Sequence, residues 1–289
     1  STYIRYRSLA KNHINPLIGH YLLQDLTPRL LTWLLNEMKT NGQGARSQQQ
    51  ARALLSIALK AAEEQELIDA NPVRKVRNPQ NREGQINPLT IEDVRRLLKT
   101  YEGAYMSLRL HIALLCGLRQ GEALGLRWGD IDNQRGTIHV VNQMQKIEGQ
   151  FQFTDLKTHR SRRTIVLGED TQRVIDSHMK LISKYRENAG ANWQNLDLVF
   201  PSEDGTPRSP QIDYAQWQGA LKLCGISPRR LHDARHTAAT LMYSQSIGIE
   251  TISRALGHSS SAITSRLYVH NAEEPLRKAA ATLNQLIKN

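Results

Sequence analysis

Cysteine is nearly absent: Cys116 and Cys224 are the only two in 289 residues, and each lies inside an apolar stretch. Two such thiols argue against a disulfide framework and against a thiolate metal site, and they fit a reducing cytosol. Long hydrophobic runs are missing too. No apolar stretch approaches the roughly 20 residues that cross a bilayer, and the N-terminus lacks a charged-then-apolar signal pattern, so no membrane partner is expected. No internal repeat or low-complexity tract is present, and the chain opens on Ser1 rather than Met, which reads as a fragment. Acidic residues are in deficit, 27 against 38 Lys plus Arg, giving a net charge of +11 and a pI near 9.8. A polyanion, nucleic acid above all, is the expected partner. Residues 1–80 carry 11 basic and 6 acidic side chains, and the remainder 27 and 21, so the excess is spread over both parts. That spread suits two folded lobes that each face a phosphate backbone better than a basic tail does.

What is present is organised by its punctuation. Residues 1–77 read as a small helical bundle, with helices over 2–13, 27–39 and 47–64 and a short turn into 68–73. In the third helix Ala51, Leu54, Leu55, Ala58 and Ala62 form an apolar stripe opposite Gln48, Arg52 and Lys60, and the two cations are candidate DNA contacts. The polar, proline-bracketed segment 78–88 reads as a linker. At the start of the second lobe Thr90 and Asp93 have the spacing of a capping box, and helices follow to Leu126. Between 137 and 167 the pattern alternates in three stretches, 137–141, 151–154 and 163–167, which predicts a three-stranded antiparallel meander. Helices resume from Asp170, broken between Pro201 and Pro210. The fold class is therefore mainly α with a small antiparallel β-sheet.

The chemistry-bearing residues fall in a fixed order. Gly117-Leu118-Arg119-Gln120-Gly121-Glu122 comes first, then Leu126-Arg127-Trp128-Gly129-Asp130-Ile131, then the basic stretch Lys157-Thr158-His159-Arg160-Ser161-Arg162-Arg163. Leu231-His232-Asp233-Ala234-Arg235-His236-Thr237, Leu256-Gly257-His258 and Tyr268 follow. Attack on a phosphodiester builds charge on the non-bridging oxygens, and with no metal-ligand cluster evident in the sequence, fixed cationic donors must absorb it. Arg119 and Arg235 suit that task, because a guanidinium offers two parallel donors that a lysine cannot reproduce. His258 adds a further donor. His232 and His236 have the i, i+4 spacing of a zinc-binding helix, but Asp233 replaces the usual Glu and Arg235 sets a positive charge between them. No metal and no cofactor are expected, and His236 reads as a buried, hydrogen-bonded core residue. Trp128 and Asp130 read as core and turn residues.

These separated motifs, in this order over residues 117–268, resemble those of the tyrosine recombinases, the integrase family of phages and mobile elements. The first lobe resembles that family's core-binding domain in helical character and position only. The resemblance implies a two-domain DNA clamp, with residues 1–77 as a helical core-type DNA-binding domain, 78–88 as linker and 89–289 as the catalytic domain. It implies Tyr268 as the nucleophile of a 3′-phosphotyrosyl intermediate, made without ATP. Lys157, in a hairpin turn before the last strand, would protonate the leaving 5′-oxygen; His232 would accept the tyrosine proton or orient the phosphate; and Glu122 would support Arg119. Arg160, Arg162 and Arg163 are candidate DNA contacts. The helix expected over about 273–288 would dock on a neighbouring protomer. The partners implied are a double-stranded core site, a homo-tetramer on two duplexes and accessory DNA-bending proteins, in the cytoplasm of a bacterial host and at its nucleoid when bound. Two other readings stay open from the residues alone: a type IB topoisomerase-like enzyme that relaxes one duplex, and a DNA-binding protein with a vestigial catalytic set.

Overall fold

The computed structural model describes residues 2–80, 87–156 and 161–257, and the chain divides into two compact units, 1–85 and 86–289. It is mainly helical, with two small antiparallel sheets. None of its described helices is long and apolar enough to cross a membrane.

In the first unit α1 (Thr2–Leu9) runs through a π turn (Ala10–Ile14) into α2 (Asn15–Ile18), so the helical path continues past the expected end at residue 13. Thr27 caps α3 (Pro28–Thr40) by accepting from the Leu30 amide, with Pro28 in the first turn where its missing N–H costs nothing. The buried row of α4 (Ala45–Glu64) is Gln48, Ala51, Leu55, Leu59 and Ala62, packed with Leu31, Leu34 and Met38 of α3. Leu59 takes the place expected for Ala58, which is exposed. Gln48 lies inward, its amide satisfied by the Gln43 carbonyl at 2.8 Å.

The second unit opens as its spacing predicts. Thr90 Oγ1 accepts from the Asp93 amide and the Asp93 carboxylate accepts from the Thr90 amide, starting α5 (Ile91–Thr100). The Leu89 amide donates to Thr237 Oγ1 at 2.9 Å, tying the entry of this unit to a residue 148 positions on. The next helix, α6 (Tyr105–Leu114), is buried from Met106 to Leu114. Its Leu108 and Ile112 join one core with Leu124, Ile138, Val199 and Phe200, while Leu97, Trp217, Leu221 and Ala234 surround its Leu110 and Leu114 in a second. A helix buried on every face belongs between two such layers. Its one buried cation, Arg109, is held two-pronged by Asp213, Nε to Oδ1 at 2.7 Å and NH2 to Oδ2 at 3.0 Å.

Among the described residues five strands replace the expected three. Thr137–Val140 (β2) lies between Ile131–Asp132 (β1) and Arg163–Val166 (β5), while Asn142–Ile147 (β3) and Gln150–Asp155 (β4) pair only with each other. The meander is thus a small sheet with a separate hairpin inserted between its second and last strands. β3 escapes sequence reading because Asn142-Gln143-Met144-Gln145-Lys146-Ile147 is polar on both faces, with Met144 alone buried. α7 (Gln120–Leu124) lies so close to β3 that a Cβ on Gly121 would stand 2.8 Å from the Met144 carbonyl oxygen. The remaining α-helices among the described residues are α8 (Glu169–Ala189), α9 (Pro210–Leu223), α10 (Leu231–Ser244) and α11 (Ile249–Leu256).

Candidate active site

Arg119 sits at the N-cap of α7, after Gly117, whose φ of +65° turns the chain out of α6. A Cβ there would lie 2.4 Å from Leu256 Cδ2, so only glycine lets the two segments meet. Glu122, one turn on, accepts from the Arg119 amide through Oε2 at 2.9 Å and from its NH1 through Oε1 at 2.6 Å. The next residue is pinned as well, since the Gln120 side-chain amide donates to Pro210 O and to Asp213 Oδ2 at 2.8 and 2.9 Å.

On α10 the residues divide by face. The Asp233 carboxylate accepts from the Arg230 amide at 3.1 Å and pairs with the Arg230 guanidinium at 2.9 Å, so the acid that stands in the zinc-like motif starts the helix instead. Arg235 points inward and is 2% exposed. His232 and His236 meet edge to face, ring centres 4.8 Å apart. His236 is half-buried against that ring rather than enclosed in the core as expected. His232 remains exposed as a residue, yet loss of hydration at the ring, then the neighbouring His236, Arg235 and Arg119, push its imidazole down to about 4. It is therefore neutral near pH 7.

The two arginines converge on the end of α11. Arg235 donates through NH1 to Gly117 O at 2.9 Å and through NH2 to Leu256 O, while Arg119 NH2 donates to Gly257 O at 3.1 Å. Gly257 ends that helix in the left-handed region, φ +64° and ψ +48°, which leaves its last carbonyls for outside donors. Residues 116 positions apart in the chain thus bond adjacent carbonyls. A third guanidinium belongs to the same cluster. Arg163 of β5 grips Glu122 with NH1 to Oε1 at 3.2 Å and NH2 to Oε2 at 2.8 Å, and its Nε donates to Ala255 O at 2.8 Å. Burial pushes the Glu122 carboxyl up, but the bonds and charge of Arg163, followed by those of Arg119, outweigh it and hold the group at about 2. Two guanidinium charges on this one carboxylate, with Arg235 on the neighbouring Leu256 carbonyl, leave a local excess of positive charge, suited to an anion.

Of the residues singled out by sequence, Arg119, Glu122, His232 and Arg235 are thus gathered in one place. Lys157, Arg160, His258, Tyr268 and the helix expected over 273–288 lie outside the described residues. Arg163 requires a correction: expected as a DNA contact, it is buried at 8% exposure and engaged with Glu122, because β5 turns it inward opposite Val140. Arg52 is corrected likewise, since its guanidinium donates to the Val76 and Val73 carbonyls at 3.0 and 3.2 Å and so secures the turn after α4. Lys60 is exposed and pairs with Glu64 at 3.3 Å, and Arg162 is exposed and pairs with Asp155 at 2.9 Å. Sequence reading missed the Arg109–Asp213 pair and the anchoring of Gln120. The one signal for the pair was that Arg109 sits in a mostly apolar helix.

Residues 87–274 match the phage integrase family, and residues 1–39 match the N-terminal SAM-like domain of phage integrases. An integrase of Saccharopolyspora erythraea is 24% identical over 96% of this chain and 76% of its own length. A XerC-like tyrosine recombinase of Caldanaerobacter subterraneus is 26% identical over 76% of this chain, which spans 58% of that relative. The Tn1549 transposon integrase, solved in complex with a circular-intermediate DNA, shares the fold at a TM-score of 0.81 and 19% identity, covering 98% of this chain and 93% of that one. Of the three readings left open by the residues, recombination is the one these matches support: the chain belongs to the phage integrase family and is a tyrosine recombinase of the site-specific type.

Proposed function

We propose that the chain recombines double-stranded DNA of a mobile element or phage at a core site, with Arg119, Lys157, His232, Arg235 and His258 around the scissile phosphate and Tyr268 as nucleophile. The observation that carries this reading is the convergence of Arg119 and Arg235 on the carbonyls of Gly257 and Leu256, directly before His258 in the chain. The Tyr268 oxygen attacks phosphorus while its proton passes to His232, which is neutral near pH 7. The O5′–P bond breaks, Lys157 supplies the proton to O5′, and a 3′-phosphotyrosyl bond remains. Attack by a 5′-hydroxyl of a second duplex reverses these steps on the new strand, so no ATP is consumed. Arg119 and Arg235 stabilise the charge on the non-bridging oxygens in each direction.

In this reading residues 1–77 form the core-type DNA-binding domain, 78–88 the linker and 89–289 the catalytic domain, and the working assembly is a homo-tetramer on two duplexes, assisted by DNA-bending proteins. Lys60 and Arg162 contact phosphates, with Arg160 beside Lys157. The segment over 273–288 docks on a neighbouring protomer. The test is incubation with a nicked suicide DNA carrying the core site, followed by denaturing electrophoresis. Wild type is expected to give a covalent protein–DNA adduct that Tyr268→Phe does not; an adduct in both, or in neither, refutes the assignment.

A further inference from the structure

The last three carbonyls of the α11 end, those of Ala255, Leu256 and Gly257, are taken by three different arginines: Arg163, Arg235 and Arg119. Two of these also share Glu122, and the sharing is unequal. Arg119 places one guanidinium nitrogen on Oε1, at 2.6 Å, and its main-chain amide on Oε2, at 2.9 Å, and its side chain is 37% exposed. Arg163 places one nitrogen on each carboxylate oxygen, and its side chain is 3% exposed. A planar fork that meets both carboxylate oxygens adds a fixed direction that a single guanidinium nitrogen does not. The plane of Glu122, and with it the seat of the Arg119 guanidinium, is therefore fixed by the Arg163 fork together with the Arg119 main-chain amide. The same Arg163 also donates through NH1 to Ser161 O at 3.2 Å, so one side chain links the stretch that follows Lys157 in sequence, the partner of Arg119, and the end of α11.

Fold stability alone gives a weak reason for this arrangement. Burying a cation and a carboxylate together costs hydration that their attraction only about repays, and a well-packed apolar pair serves a core as well. What the charged pair supplies is direction, which matters for a group that must meet a transition state within a fraction of an ångström.

We propose that Arg163 is a positioning residue for the recombination chemistry, acting through Glu122 to aim the Arg119 guanidinium at the scissile phosphate. The inference rests on the reading of Arg119 as a phosphate-stabilising group. The test is single-turnover cleavage of the suicide DNA by the full chain at saturating protein, for wild type, Arg163→Lys, which keeps the charge and loses the fork, and Arg163→Met. Each is assayed on a normal scissile phosphate and on one replaced by a neutral methylphosphonate, with DNA affinity and thermal melting measured in parallel. On the normal phosphate the first-order rate constant is expected to fall roughly ten- to a hundredfold in Arg163→Lys, with the reacting fraction and the DNA affinity within about twofold of wild type. On the methylphosphonate, where no second anionic oxygen needs a cation, the deficit is expected to shrink to about threefold or less. A merely structural role predicts a smaller reacting fraction and an equal deficit on both linkages; either result, or a wild-type rate in Arg163→Lys, overturns the proposal. If Arg163→Met does not fold, Glu122→Gln takes its place: combined with Arg163→Lys it is expected to slow cleavage no further than the slower single variant, and additive losses would overturn the proposal. Absence of an adduct from wild type on both linkages would instead sink the recombinase assignment, and this inference with it.

Discussion

Replacing Glu122 by Gln removes one negative charge from a cluster of three guanidinium groups while keeping the side-chain shape. The carboxylate is 1% exposed and held at about 2, against an ordinary value of 4.5. That gap of two and a half units corresponds to about 3 kcal/mol favouring the charged, folded form, with little loss to solvent screening at such depth. The sign follows from the depressed value: the contribution is complete above pH 4.5 and is lost as pH falls from there toward 2. At pH 3.5 about 1 kcal/mol of it has gone, because the unfolded carboxyl is largely protonated and the folded one is not. Glu122→Gln is therefore expected to lower stability by about 3 kcal/mol at pH 7, in line with a buried pair broken on one side. The difference from wild type should narrow to about 2 kcal/mol at pH 3.5. The measurement is urea unfolding of the full chain followed by tryptophan fluorescence in a Trp33→Phe background, so that the signal comes from the second unit, where Trp217 is 1% exposed. A penalty under about 1 kcal/mol at pH 7, or one that does not change between the two pH values, would refute the account of the cluster.

Arg119→Lys and Arg235→Lys are each expected to slow single-turnover cleavage by about a hundredfold or more, because the paired donors are lost with the charge retained; a loss under about fivefold in both would remove them from the chemistry. In the free protein, NMR titration should find the His232 imidazole changing state near pH 4, so that any stability tied to its neutral form is complete above about 6.5 and is lost as pH falls toward 4, and a midpoint near 6.5 would refute the loss of hydration at its ring beside His236, Arg235 and Arg119. Gly117→Ala forces a Cβ into Leu256 at a positive φ, and a fall in stability of about 2–4 kcal/mol by urea unfolding is expected, against no change if the two segments do not touch. Core-site binding should weaken with salt at a logarithmic slope of about −0.9 for each phosphate neutralised, and a slope near zero would contradict the reading of the basic charge.

Much of this molecule is written locally. The capping box at Thr90 and Asp93, the proline start of α3 and the apolar faces of the helices are set by neighbours within a few positions, and all are legible in the order of the residues. The motif order from Arg119 through Tyr268 is a property of the chain alone, and it carried the family. Other features escape such reading because their partners are distant or bear no side-chain signature. Arg163 resembles its neighbours Arg160 and Arg162 in a basic turn, and only the pairing of β5 with β2, which turns it inward to a carboxylate 41 positions back, separates it from them. The acceptors that gather the arginines are main-chain carbonyls of Ala255, Leu256 and Gly257, groups that every residue possesses and no sequence pattern marks. Residue types and spacings therefore determined which chemistry the chain can carry out. Tertiary structure alone decided which arginines gather at the end of α11 and which of them share Glu122, because that choice depends on which helix end and which strand edge meet.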